Sequence, residues 1–300
     1  MRVGMIGIGD IAQKGYLPVI TSYDDIELIL CTRNEDVLEA VAKTYKIEER
    51  YTTVDQLIES KIEAALVHSL TDSHADICYQ FLDANIHVFV DKPIAYDAPT
   101  ARQLIQKAKE KELIFMCGFN RRFAPPYDAI YKMQDMNLLL VEKHRAHHPD
   151  QIRRFIFDDF IHVIDTLLNF FPHEIKEMTV QGRVEDGKLY HVLLQLIAEG
   201  KNAVGMMNRD SGMNEEVVKA YSPNETTIVR NISEVTIYKD RQSFFQGRDD
   251  WEPTLHKRGF YAMTAHFFTA IRKGAKHWNY EEDLRRHDIA EFLVKKLEQL

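Results

Sequence analysis

From residue 1 to about 118, short apolar runs alternate with longer amphipathic stretches, and this alternation limits the fold more than any other feature of the chain. The runs at 2–7, 26–31, 64–68, 87–90 and 114–117 are aliphatic, brief and bounded by turn residues, so they read as buried strands. Between them, 34–45, 71–83 and 97–111 carry the helical period, with Thr71, Asp72 or Ser73 and Asp97 as candidate N-caps. Strands separated by helices pair in parallel through right-handed crossovers, which predicts an α/β, doubly wound Rossmann-type sheet.

After Gly118 the texture changes. Ala124-Pro125-Pro126 interrupts the chain, a helix is expected as far as Met136, and the segments 191–197, 203–208, 216–221, 226–232 and 234–238 follow one another without helices. That order predicts an open, mainly antiparallel sheet, with closing helices near 255–272 and 281–300. The 300 residues thus divide into a dinucleotide-binding domain at 1–120 and an α+β substrate-binding and oligomerisation domain at 121–300.

Composition excludes several classes. With 45% hydrophobic and 28% charged residues the chain is neither disordered nor fibrous. A net charge of −8 offers no general attraction to nucleic acid or anionic lipid, and no run approaches the roughly 20 apolar residues of a membrane helix. Cys31, Cys78 and Cys117 are three, scattered and without CxxC spacing, which argues for a reducing cytoplasmic setting. His147 and His148 are adjacent, poor geometry for a ligand pair, and no HExxH-like spacing exists, so no metal is expected.

The first strand ends in Gly7-Ile8-Gly9-Asp10-Ile11-Ala12, a GxGxxA sequence placed where a strand gives way to a helix. Gly7 permits a tight turn, Gly9 lets a pyrophosphate approach the backbone, and Ala12 allows close packing of helix on strand. At the end of the second strand, where NAD-specific proteins place an acid, this chain has Thr32-Arg33. Arg33 can pair with a 2′-phosphate and Thr32 can donate to it, which favours NADP(H) and leaves NAD(H) open. Thr71 and His74 start the helix after a strand end, at the ligand edge of such a sheet. Asp91-Lys92-Pro93 stands at the same edge, and the proline restricts Lys92 to an extended backbone. Asn120, Arg121 and Arg122 follow the last strand of this domain. In Asp158-Asp159-Phe160-Ile161-His162-Val163-Ile164-Asp165, helical offsets put Asp158, His162 and Asp165 on one face, where Asp158 would orient the imidazole and favour its protonated form.

Taken together, GIGDIA at 7–12, TDSH at 71–74, DKP at 91–93, GFNRRF at 118–123 and DDFIHVID at 158–165 resemble the Gfo/Idh/MocA oxidoreductases, most of all their short MviM-like members. That family is named for glucose-fructose oxidoreductase, inositol dehydrogenase and a rhizopine-catabolism protein. Asp91 departs from the glutamate that the family commonly carries there. The resemblance implies an NAD(P)-dependent enzyme moving a hydride between nicotinamide and a hydroxyl or carbonyl carbon of a sugar, cyclitol or related polyol. It makes Lys92 the active-site lysine, His162 the proton-relay residue and Asp158 its acidic partner. Asn120, Arg122 and Asp165 would lie near substrate, and Gly7, Gly9, Asp10, Ile11, Ala12, Thr32, Arg33, Thr71, His74 and Lys92 near the cofactor. A homodimer is implied as well. The alternatives are a cofactor-binding regulator without turnover and a glycosidase that retains its NAD.

Overall fold

Six short strands, β1 (Arg2–Ile6), β2 (Glu27–Cys31), β3 (Arg50–Tyr51), β4 (Ala64–Val67), β5 (His87–Val90) and β6 (Phe115–Cys117), form one sheet in the order β3-β2-β1-β4-β5-β6. Every pairing in it is parallel. In β4 and β6 all residues are buried, with no alternation, because helices cover both faces and leave neither to water. The strand order reverses between β1 and β4, which opens a crevice at their carboxyl ends. This structure is a computed structural model that describes residues 1–247, 249–275 and 278–300.

Side-chain caps open two of the longer helices. Asn34 accepts from the Val37 amide at 3.1 Å and opens Glu35–Tyr45, and Asp97 accepts from the Thr100 amide at 2.7 Å to open Ala98–Glu110. The helix Thr71–Asp83 differs from expectation: its N-cap is Leu70, with no side-chain cap, and Thr71 is the first helical residue.

The second sheet has nine strands: β7 (Leu138–Ala146), β8 (Asp150–Gln151), β9 (Glu177–Glu185), β10 (Lys188–Ala198), β11 (Lys201–Ser211), β12 (Glu215–Tyr221), β13 (Glu225–Arg230), β14 (Glu234–Lys239) and β15 (Gln242–Gln246). It is antiparallel apart from one pair, since β7 lies between β11 and β12 and runs parallel to β11. The sequence reading missed β7, whose inward row mixes Leu139 and Val141 with a lysine. Between 124 and 136 the helix predicted as far as Met136 reduces to two short turns, Pro125–Tyr127 and Asp128–Tyr131. The expected closing helix near 255–272 is broken into Thr254–Lys257 and Phe260–Arg272.

The chain forms two compact units, Met1–Phe119 with Phe260–His287, and Asn120–Gly259 with Asp288–Leu300. The chain thus returns to the first unit with Phe260–Arg272, which supplies Phe267 and Phe268 to its buried core. In the second unit the helix Ile161–Phe170 lies on the sheet where β11 carries Gly205. A Cβ at that glycine would sit 2.6 Å from both Leu167 and Val163, so the missing side chain permits the approach. Among the described residues no helix is long and apolar enough to cross a membrane.

Candidate active site

In the first unit, β1 ends at Ile6 and the chain turns through Gly7 at φ +85°. A Cβ on Gly7 would fall 2.4 Å from the Ser69 amide nitrogen, so only glycine fits, whereas a Cβ on Gly9 would meet nothing. The backbone then enters a wide π-type turn, Ala12–Tyr16, before the short helix Leu17–Ile20.

Along the carboxyl ends of β1, β2 and β4 runs a groove of about 1110 Å³. Gly7, Gly9, Asp10 and Ile11 form one side, Thr32, Arg33 and Asn34 the end of β2, and Ser69, Leu70 and Ser73 the β4 side. These residues fit a nicotinamide dinucleotide: the groove lies at the crevice of a doubly wound sheet, and Gly9 leaves its wall without a side chain. Of the expected cofactor residues, Ala12 is fully buried and packs the turn, and Thr71 is absent from the lining. His74 is buried, with Nδ1 at 2.8 Å from the Pro93 carbonyl and Nε2 at 3.0 Å from the Ser69 carbonyl, so it ties the groove wall to the turn after Lys92.

Lys92 follows β5 within the same unit. Its amide donates to Asp91 Oδ1 at 3.0 Å, and the buried Tyr16 hydroxyl donates to the same oxygen at 3.2 Å. Desolvation raises the Asp91 pKa above the ordinary carboxylate value, against the pull of Lys92 and His74. His68 stacks on Tyr16 with ring centroids 3.9 Å apart, and burial pushes its pKa down to about 3.

The second unit carries a buried polar cluster. Arg121 donates from Nε and Nη2 to the two Glu216 carboxylate oxygens at 2.7 and 2.9 Å, and from Nη1 to His162 Nδ1 at 2.8 Å. Lys143, opposite Glu216 in the β7–β12 register, donates to Asp159, which also accepts from Arg145 at 3.0 and 3.2 Å. Burial, reinforced by the Arg121 charge, lowers the Lys143 pKa to about 7 despite Asp159 and Glu216. Burial alone would raise the Asp159 and Glu216 carboxyls, but Lys143 and Arg145 beside one and Arg121 beside the other hold both below the usual range.

Three expected residues sit close to this cluster. Asp165, fully buried, accepts from Arg122 Nη2 at 2.7 Å, and Asn120 donates to the Arg258 carbonyl at 2.8 Å. Asp158 lines a cavity of about 480 Å³ together with Arg145, Asp150, Asp159 and Arg209. The regular helix expected from Asp158 is instead a π-type segment, Phe155–Phe160, followed by Ile161–Phe170, so simple four-residue offsets do not hold there. The partner seen at His162 Nδ1 is a guanidinium, which does not suit the imidazolium that a carboxylate partner was expected to favour. Sequence reasoning passed over Lys143 and Glu216, gave Asp159 no role of its own, and noted Arg121 only among the polar residues after the last strand. The available signal was Lys143, in the inward row of β7 with Leu139 and Val141. Among the described residues no group of three His, Cys, Asp or Glu side chains could hold a metal ion.

Comparison with known proteins agrees with this architecture. Residues 1–119 match the model of the oxidoreductase family with an NAD-binding Rossmann fold, and residues 125–240 match the YceM-like C-terminal domain. YceM of Salmonella typhimurium is 30% identical over 281 residues, 91% of this chain and 90% of that protein. Myo-inositol 2-dehydrogenase of Thermotoga maritima is 26% identical over 61% of this chain and 59% of its own length. The crystal structure of a Gfo/Idh/MocA family oxidoreductase from Vibrio cholerae superposes with a TM-score of 0.93 at 31% identity, covering 100% of this chain and 98% of that one. With its switch-point groove, its lysine after β5 and its histidine-bearing helix, the chain belongs to the Gfo/Idh/MocA oxidoreductase family.

Proposed function

We propose that this protein is a dehydrogenase or reductase preferring NADP(H), which moves a hydride between nicotinamide and a hydroxyl or carbonyl carbon of a sugar, cyclitol or related polyol. The observation that carries the cofactor preference is the end of β2, where Thr32 and Arg33 line the groove. An acid at this point would accept from ribose hydroxyls, whereas an exposed arginine matches the charge and forked geometry of a 2′-phosphate. The bound nicotinamide supplies or accepts the hydride. This chain's residues do the rest: the Gly7–Gly9 backbone and Arg33 hold the dinucleotide, and Lys92 and His162 serve the substrate oxygen as its charge develops.

The polyol class is supported by the inositol dehydrogenase among the relatives and by the mixed acids and arginines around Asp158, which offer acceptors and donors to hydroxyl groups. In this reading Asp165 acts on substrate through Arg122, whose guanidinium it holds. The protein acts in the cytoplasm as a homodimer.

The test is a fluorescence titration with NADPH and NADH, for the native protein and Arg33→Ala, followed by a polyol screen with the preferred nucleotide. Arg33→Ala should weaken NADPH about tenfold and NADH little, the loss of one charge-assisted contact. Lys92→Ala and His162→Ala should each lower turnover of an identified substrate at least about a hundredfold. Equal binding of both nucleotides by both proteins would overturn the NADP preference, and full turnover by both variants the assigned chemistry.

A further inference from the structure

We propose that Arg121, anchored by Glu216, is a positioning residue that locks His162 as the neutral imidazole with its hydrogen on Nε2. His162 then donates a hydrogen bond to the substrate oxygen rather than taking its proton. The second statement rests on the function proposed above; the first rests on the geometry alone.

A guanidinium has five N–H donors and no lone pair, and it stays protonated at all working pH values. With Arg121 Nη1 at 2.8 Å, His162 Nδ1 presents its lone pair, and a neutral ring then bears its hydrogen on Nε2. Protonating Nδ1 would set N–H against N–H across that distance and one cation against another. Accepting a proton at Nε2 would first require an imidazolate, far outside the range of imidazole at neutral pH. Arg121 cannot readily turn away, because its Nε and Nη2 are both held by Glu216 and its side chain is 9% exposed. Tyr127 adds a bond to Glu216 Oε1 at 3.4 Å and steadies the anchor from a further element.

The charges around this ring do not reverse the argument. Arg121, Lys143, Arg145, Arg209 and Arg258 stand around Glu216, Asp158, Asp159 and Asp150, and the Arg122–Asp165 pair adds one charge of each sign, so the anions do not outweigh the cations. Burial, with the Arg121 charge, also lowers the Lys143 pKa in the same interior. On this reading His162 keeps its own hydrogen and stabilises charge on the substrate oxygen.

The experiment is long-range 1H–15N correlation on the full-length protein labelled at histidine, from about pH 5.5 to 8.5, the range over which an ordinary imidazole titrates. His162 is assigned by the signal missing from His162→Gln. The expected result is a ring with a bare Nδ1, a protonated Nε2 and no titration. In Arg121→Met the ring should titrate near pH 6 to 7, as an ordinary histidine does. Arg121→Lys, which keeps one donor, should restore the Nε2–H tautomer. Because Arg121→Met strands the Glu216 carboxylate, the double variant Arg121→Met with Glu216→Gln removes both charges and keeps the test usable if the single variant unfolds. A native His162 that titrates in this range, carries its hydrogen on Nδ1, or is unchanged in folded Arg121→Met would sink the proposal. Neither cofactor nor turnover enters these spectra. A confirmed tautomer with full turnover in His162→Gln would therefore remove the catalytic assignment and leave the positioning role standing.

Discussion

His68 shows how one side chain can set a pH limit on stability. Its ring is buried on Tyr16, and neither nitrogen has a hydrogen-bond partner among the described residues. Burial, with a smaller push from the His74 charge, brings its pKa from 6.5 to about 3. The unfolded chain therefore takes up a proton that the folded chain refuses, and stability present above about pH 6.5 falls as the pH drops toward about 3. Between pH 7 and 5 this one group should remove about 2 kcal/mol. Denaturant unfolding at the two pH values measures the loss, and His68→Leu should flatten it. An unchanged slope in that variant would show that other groups carry the acid sensitivity.

At the scale of elements, the turn after β1 separates a glycine required by the fold from one available to a ligand. Gly7 combines φ +85° with backbone 2.4 Å from any Cβ, while the space beside Gly9 is open. Gly7→Ala should thus lower the melting temperature by several degrees, through strain of about 2 kcal/mol or more, and abolish nucleotide binding with it. Gly9→Ala should melt within about 1 °C of the native protein yet bind nucleotide at least about tenfold more weakly, because its methyl group enters the groove. Paired melting curves and nucleotide titrations distinguish these outcomes. A Gly9→Ala protein that binds normally would mean that the cofactor backbone does not run there.

For the molecule as a whole, the second sheet bears on the proposed homodimer. Along β10, buried Val192, Leu194 and Leu196 alternate with Leu193, Gln195 and Ile197; along β11, buried Ala203 and Met207 alternate with Val204 and Met206. The second row stands half-buried, and it carries more apolar side chains than a fully solvated sheet face usually does. Light scattering should return about 70 kDa, twice the 35.0 kDa of one chain. Leu193 and Met206 face each other in register, and Leu193→Lys with Met206→Glu should shift the species toward one chain. A native protein already of one-chain mass at micromolar concentration would end the dimer proposal.

What the sequence determined by itself was whatever depends on local period and local chemistry. The strand-helix alternation, the turn of Gly7 and Gly9, and the cap Asp97 are each written within a few residues, and together they specify the parallel sheet and its ligand edge. The long-range pairings were decided only by tertiary structure. Arg121 meets Glu216 across 95 residues and His162 across 41, and no spacing rule links such positions. Strand β7 takes its place beside β11 because the packed sheet accepts a parallel neighbour there, although its own inward row ends in a lysine. That lysine is tolerated inside because Asp159 and Glu216 reach it from other elements, a balance of burial against charge that exists only once the chain has folded.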